Sequence, residues 1–262
     1  MNLLKISFIL SFLFGSTFLF GVTTPPIDHT QWDGLVKKYV DTEGLVNYKG
    51  FLEDKKILED YLQLISTNTP DKKTWSKDEQ LAYWINAYNA FTVKLIVDHY
   101  PVESIKDIKK GVPFVSTVWD MEFFSIGGKE MNLNDIEHGI IRKEFKEPRI
   151  HFAVNCASYS CPPLRNEAFT AANLDAQLTD QLKVFLADTR KNKINNPDKI
   201  EISSLFKWYS TDFTDKGFFS RIFGKKNRDK RLIQFITPYV EEQLTKDTKI
   251  EFVDYKWTLN EQ

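Results

Sequence analysis

The chain has 262 residues, with 35 Lys and Arg against 36 Asp and Glu, for a net charge of −1. That balance gives no electrostatic basis for a polyanionic partner, so no nucleic acid is expected. With 21 Phe, 10 Tyr and 6 Trp the chain has ample material for a core, and 2 Cys are too few for a disulfide scaffold.

Residues 1–20 carry one early positive charge, Lys5, and then an apolar run from Ile6 to Phe20. A charged start, an apolar stretch and no basic stop-transfer flank read as a secretory signal, residues 1–23, with cleavage near Thr23. The expected localisation is therefore exported, in the periplasm or cell envelope. An uncleaved N-terminal anchor is the alternative, and the one route by which a membrane enters this reading. No Ser/Gly-rich linker, low-complexity tract or internal repeat divides the rest, so residues 24–262 are expected to form a single globular domain.

Trp32, Leu35, Val36, Tyr39 and Val40 fall at helical spacing within residues 28–42, with Gly44 as a stop. A second helix is expected over Leu52–Ser66, with Ile57, Leu58, Tyr61, Leu62 and Ile65 as its buried stripe. A third begins at Ser76, which with Glu79 forms a capping-box pattern, and runs to about His99. Asn86 and Asn89 interrupt its apolar surface. Buried amides need partners, so both are expected either to clamp loop backbone or to donate to a substrate oxyanion.

Ser104–Ile108 reads as a short helix and Val112–Phe114 as an irregular link. Met121–Ile126 and Lys129–Leu133, joined by Gly127-Gly128, predict a β-hairpin. A helix from Asn134 to Arg142 follows, placing Asp135 and Glu137 in its first turn and His138 three positions after Asp135.

The stretch PRIHFAVNCASYSCPPLR, residues 148–165, holds both cysteines and His151. Ile150–Val154 reads as a strand that delivers the chain to a loop containing Cys156 and Cys161. Three chemistries fit these residues. Cys156 can act as a nucleophile, with His138 or His151 taking its proton and Asp135 or Glu137 orienting the histidine. Alternatively Cys156 and Cys161 form a disulfide, structural or redox-active, which an exported context favours. In a third reading the two thiols and two histidines bind zinc, but the cysteine spacing and strand alternation fit it least, and no metal is assigned. Arg149 and Arg165 bracket the loop, where each can favour a thiolate or anchor an acid.

Asn173–Arg190 reads as a core-facing helix, and Lys193–Asn195 with Lys199–Ile202 as a second hairpin. Trp208, Tyr209 and Asp212 are candidates for lining a ligand cleft, although aromatic residues at this density also suit a core. Residues 221–231 hold six basic side chains and read as a solvated loop. Leu232–Leu244 resumes as a helix and Lys249–Tyr255 as a last strand.

The blocks AYWINAYNA (82–90), DIEHGIIR (135–142), PRIHFAVNCASYSCPPL (148–164), FKWYSTDF (206–213) and YKWTLN (255–260) resemble the domain of unknown function family 547. YKW stands where that family more often shows Tyr-Asp-Trp. The resemblance implies a shared fold and a shared surface around these motifs, with no established substrate, reaction or cofactor.

The residues together predict an α+β fold, with helices packed on a small, mainly antiparallel sheet built from hairpins and the Ile150 strand. The expected function is a cell-envelope protein with a cysteine-centred site, a thiol hydrolase or transferase acting on a peptide or amide. A non-catalytic binding module stapled by Cys156–Cys161 is the alternative, and a thiol-disulfide exchanger the third. The expected partner is a small molecule or peptide, and no cofactor is assigned.

Overall fold

The longest described helix, Lys77–His99, organises the molecule. Ser76 accepts from the Glu79 backbone N–H while the Glu79 carboxylate accepts from the Ser76 N–H, so the expected capping box is in place. Leu81, Ala82, Ile85, Ala87, Tyr88, Phe91 and Leu95 are all buried, and so are Asn86 and Asn89. A helix covered on nearly every side needs such residues all round. The computed structural model describes residues 25–108, 117–213 and 224–262. The expected signal segment, the Val112–Phe114 link and the start of the basic run lie outside the described residues.

The fold is α+β, with helices around two small strand pairs. Thr30–Tyr39 is helical and buries Trp32, Leu35, Val36 and Tyr39. Gly44 lies beyond its end, at φ +75, against the cysteine loop; a Cβ there would meet Pro163 Cβ at 2.2 Å. The helix expected over Leu52–Ser66 is two helices, Tyr48–Glu53 and Lys55–Thr67. They divide at Asp54, whose carboxylate accepts from Lys38 at 2.7 Å and from Tyr39 at 2.9 Å. Ile57 is 41% exposed, outside the stripe of Leu58, Tyr61, Leu62 and Ile65 that the second helix buries.

Phe124–Ile126 and Lys129–Met131 form the antiparallel hairpin predicted for this stretch, turning at two glycines with positive φ. The other pair, Lys199–Ser203 with Lys249–Val253, is parallel, with Ile202 opposite Phe252. The second hairpin survives only as one antiparallel bridge between Lys193 and Glu201.

Asp135–Ile141 is a π-helix running into Arg142–Glu144. The Arg142 N–H donates to the Glu137 carbonyl, five residues back. Insertions of this kind are frequent at functional sites.

The strand expected at Ile150–Val154 is instead a 3₁₀ turn, Pro148–Phe152. Pro148 opens it and the Glu147 carboxylate accepts the Arg149 N–H at 3.0 Å, a cap that holds helical backbone. Alternation misled because both sides are buried: Ile150, Ala153 and Val154 belong to the core around the long helix, while Phe152 packs with Phe185, Phe206 and Phe213 in a second core.

The two helix asparagines tie the long helix to loop backbone. Asn86 donates to the Phe169 carbonyl at 2.8 Å and accepts from the Phe169 N–H at 3.0 Å. Asn89 donates to the Ala153 carbonyl at 2.9 Å and accepts from the Asn155 N–H at 2.8 Å. Asn89→Ala leaves both buried backbone groups without this partner and is expected to lower stability by about 2 kcal/mol or more in urea unfolding. A loss below about 0.5 kcal/mol would contradict the clamp.

Candidate functional site

The loop after Ala153 is built by side-chain amides. Asn155 donates to the Pro162 carbonyl at 2.7 Å and accepts from the Ala157 N–H at 2.8 Å, drawing the two ends of the cysteine loop together. Ala157 takes φ +57, the one non-glycine positive φ among the described residues. The C-terminal segment straps this loop: the Tyr159 N–H donates to the Thr258 carbonyl at 2.8 Å and the Lys256 N–H to Ser160 Oγ at 2.9 Å.

Beneath that strap is a cavity of about 250 Å³. Its walls come from distant parts of the chain: Tyr88 and Trp119, then Glu137 and His138, His151 and Val154, both cysteines, Trp208 and Tyr209, and Tyr255 and Trp257. A larger open groove, about 470 Å³, passes Leu62, Phe91, Lys94 and Phe123, and neither cysteine nor any histidine lines it.

Cys156 and Cys161 are free thiols with Sγ atoms 2.9 Å apart. Cys161 is only 4% exposed, and its Sγ also accepts the Cys156 backbone N–H at 3.0 Å. Cys156 Sγ lies 3.2 Å from Ser158 Oγ and 3.3 Å from the Tyr255 hydroxyl. Hydrogen bonding from Cys161 does most to stabilise the Cys156 thiolate; Ser158 and Tyr255 add to it against the cost of burial, and the pKa falls to about 7. Burial acts in the other direction on Cys161, which is pushed well above the usual thiol range. The pair therefore has one acidic and one reluctant thiol.

His151 is 2% exposed and stacks on Tyr209, ring centroids 4.0 Å apart. Its Nε2 donates to Asp212 Oδ2 at 2.8 Å, and Arg142 Nε donates to the same oxygen at 2.6 Å. Burial alone would raise the Asp212 carboxyl, but these two donors hold it well below the usual carboxylate range. For His151, burial outweighs Asp212 and lowers the imidazole pKa. A neutral ring that donates through Nε2 keeps its lone pair on Nδ1. The carboxylate that orients this histidine is thus Asp212, rather than the Asp135 or Glu137 expected for that task.

Asp135 accepts the Asn132 N–H at 3.1 Å at the start of the π-helix. Glu137 is buried and lines the cavity, within 3.7 Å of His138 Nδ1. His138 is half-exposed and takes a 3.1 Å contact from Arg142 Nη1. Arg149 pairs with Glu147 and Asp175, and Arg165 with Glu167 and Asp180; neither lines the cavity. Asn86 and Asn89 also stand outside it, engaged in their loop clamps. Trp208, 49% exposed, forms the outer wall with Tyr255 at 4.8 Å and Trp257 at 6.0 Å.

Residues 72–186 match the model of the family described as Protein of unknown function, DUF547. The DUF547 match covers less than half of the chain, taking in the long helix, the π-helix and the cysteine loop. Asp212, Trp208 and the Tyr255–Trp257 strap lie beyond it. No curated protein and no solved structure matches the chain.

Sequence reading missed Tyr88, Trp119, Arg142, Tyr255 and Trp257 as parts of the site, although all but Trp119 stand within the motif blocks that resemble the family. The zinc reading finds no support in the arrangement: among the described residues no group of three or more His, Cys, Asp or Glu side chains is placed to hold a metal ion.

The acidity of Cys156 predicts a pH profile. Only the thiolate is alkylated, so the rate should rise with pH through an apparent pKa of about 7 and level off above it. Labelling reduced protein with iodoacetamide between acid and alkaline pH, followed by peptide mass spectrometry, measures this. A midpoint near the free-cysteine value of about 8.5 would contradict it.

Proposed function

We propose that the chain is an acyl-transfer enzyme of the cell envelope, in which Cys156 is the nucleophile and His151 the base, acting on a peptide or amide. One observation carries this reading: the acidified Cys156 thiol and the carboxylate-anchored His151 line the same aromatic-walled cavity. In the proposed reaction His151 takes the Cys156 proton on Nδ1 as the sulfur attacks the substrate carbonyl carbon, then delivers that proton to the amine as the C–N bond breaks. A thioester to Cys156 remains. Water or an acceptor amine then attacks it, His151 takes the proton, and the thiolate is released.

Asp212 would hold the imidazole in its Nε2–H tautomer and stabilise the imidazolium, while Arg142 keeps Asp212 ionised. His138, at the more exposed side, is the second candidate base, and Glu137 and Tyr209 would set the polarity of the same wall. Asp135 is assigned a structural part through its Asn132 contact. Export rests on the apolar run Ile6–Phe20, and the reading of residues 24–262 as one domain on the 148–154 segment, which contributes side chains to both cores. No described helix is long and apolar enough to cross a membrane.

A second reading is favoured by the exposed Trp208 and its contacts with Tyr255 and Trp257, an aromatic surface suited to holding a ligand without chemistry. The two separate on covalent capture. Incubated with an activated acyl ester or peptidyl amide, the reduced protein should gain the acyl mass on Cys156. His151→Asn should slow acylation at least about a hundredfold, and Cys156→Ser should abolish the thioester. Equal acylation or turnover in Cys156→Ser and the wild type would defeat the nucleophile assignment.

A further inference from the structure

The cysteine loop contains two thiols of opposite character in contact, and nucleophilic catalysis uses only one of them. We propose that Cys156 is a site of reversible oxidation by hydroperoxides, with Cys161 as its resolving thiol, and that the resulting disulfide switches the cavity off. The switching consequence rests on the reading of Cys156 as a nucleophile; the oxidation chemistry does not.

Geometry supports the pairing. The two Sγ atoms are 2.9 Å apart, so a bond of about 2.05 Å requires an approach of roughly 1 Å. The loop between them is held at both ends, by Asn89 on Ala153 and Asn155 and by Asn155 on the Pro162 carbonyl, which keeps the sulfurs facing. The buried Lys191 ammonium donates to the Cys161 carbonyl at 2.8 Å and pins the resolving residue from behind. This is a preorganised pair, with little loop closure left to complete.

Access fixes the order of events. Cys156 is partly exposed in the cavity wall, whereas Cys161 is 4% exposed and screened by its partner. A hydroperoxide entering beneath the Tyr255 strap meets Cys156 first, where the thiolate is the reactive form. The Cys156 sulfur attacks one peroxide oxygen; an S–O bond forms, the O–O bond breaks, and the second oxygen leaves, taking up a proton as water or alcohol. Cys161 sulfur then attacks the Cys156 sulfenic acid. The S–S bond forms, the S–O bond breaks, and the departing hydroxide carries off the Cys161 proton as water. Two thiols have lost two electrons to the peroxide, and atoms balance.

Cys156 is thereby removed as a nucleophile and protected from further oxidation, since sulfinic and sulfonic acids form only while the sulfenic acid persists. A small thiol or dithiol reductant returns both sulfurs.

The test uses the full folded chain, reduced and then exposed to hydrogen peroxide. Wild type should lose the mass of two hydrogens, its iodoacetamide labelling at Cys156 should fall about a hundredfold or more, and dithiothreitol should restore both. Cys161→Ala should still label at Cys156 when reduced, more slowly near neutral pH because the thiolate loses its main hydrogen bond, but after peroxide should gain oxygen atoms at Cys156 that dithiothreitol does not remove. Wild type that gains oxygen irreversibly, or that keeps two labelled thiols after peroxide, overturns the proposal even if the variant fails to fold. Reduced wild type that forms the disulfide yet is never acylated by the activated ester would sink the nucleophile reading alone.

Discussion

The clamp from Asn89 to the backbone on either side of Val154 is the contact on which the rest of the site depends. A helix buried nearly all round has no polar face to offer, so an amide within it must find backbone to satisfy. Asn89 finds the Ala153 carbonyl and the Asn155 N–H, and so fixes the position from which Cys156 leaves the core. Asn155 passes the constraint on to Pro162, closing the loop on its second cysteine. Rigidity at the thiols thus originates in the middle of the hydrophobic core, where thermal opening is rarest.

Charge is arranged around this loop by contrast. Asp212 receives two donors, Arg142 and His151, and stays ionised in a partly buried setting. Arg142 also lies over the Tyr209 ring, which stacks on His151 from its own side. Taking Asp212 away leaves the buried His151 N–H and the Arg142 guanidinium without their shared acceptor, and that imbalance costs more than the pair itself contributes. Such a network fixes geometry more than it adds stability. Cys156 lies in the same cavity with hydroxyl and thiol neighbours rather than a cation, so its acidity comes from hydrogen bonding.

Much of the fold was legible because local rules and tertiary packing agreed. The capping box at Ser76, the helix carrying Trp32 and Tyr39, and the hairpin at Gly127-Gly128 each have a short-range cause that the structure keeps. The 148–152 segment was misread because its apolar residues face two different cores, and alternation between two cores looks the same as alternation in a strand. The parallel pairing of Lys199–Ser203 with Lys249–Val253 is non-local and leaves no trace in spacing. At the site, residue types pointed to Cys156 and His151, but the partner of His151 lies 61 residues away. Asp135 and Glu137 were nearer in sequence, but Asp212 is the carboxylate that reaches His151, while Glu137 stands beside His138.

The aromatic strap explains why the cavity needs the end of the chain. Trp257 has neighbours on several sides, Trp119, Trp208, Tyr255 and the Lys106 ammonium 3.6 Å above its ring, while its carbonyl accepts from Ser104 at 2.6 Å. Asn260, two residues beyond Thr258, accepts from the buried Tyr48 hydroxyl at 2.7 Å. The segment is therefore anchored in the core on one side and bonded to the cysteine loop on the other. A ligand entering the cavity meets rings whose positions are set before it arrives, and binding need not order the wall. The same anchoring places the Tyr255 hydroxyl between Cys156 and Ser158, at 3.3 and 3.1 Å, so a change of bonding at the Cys156 sulfur reaches the cavity wall directly.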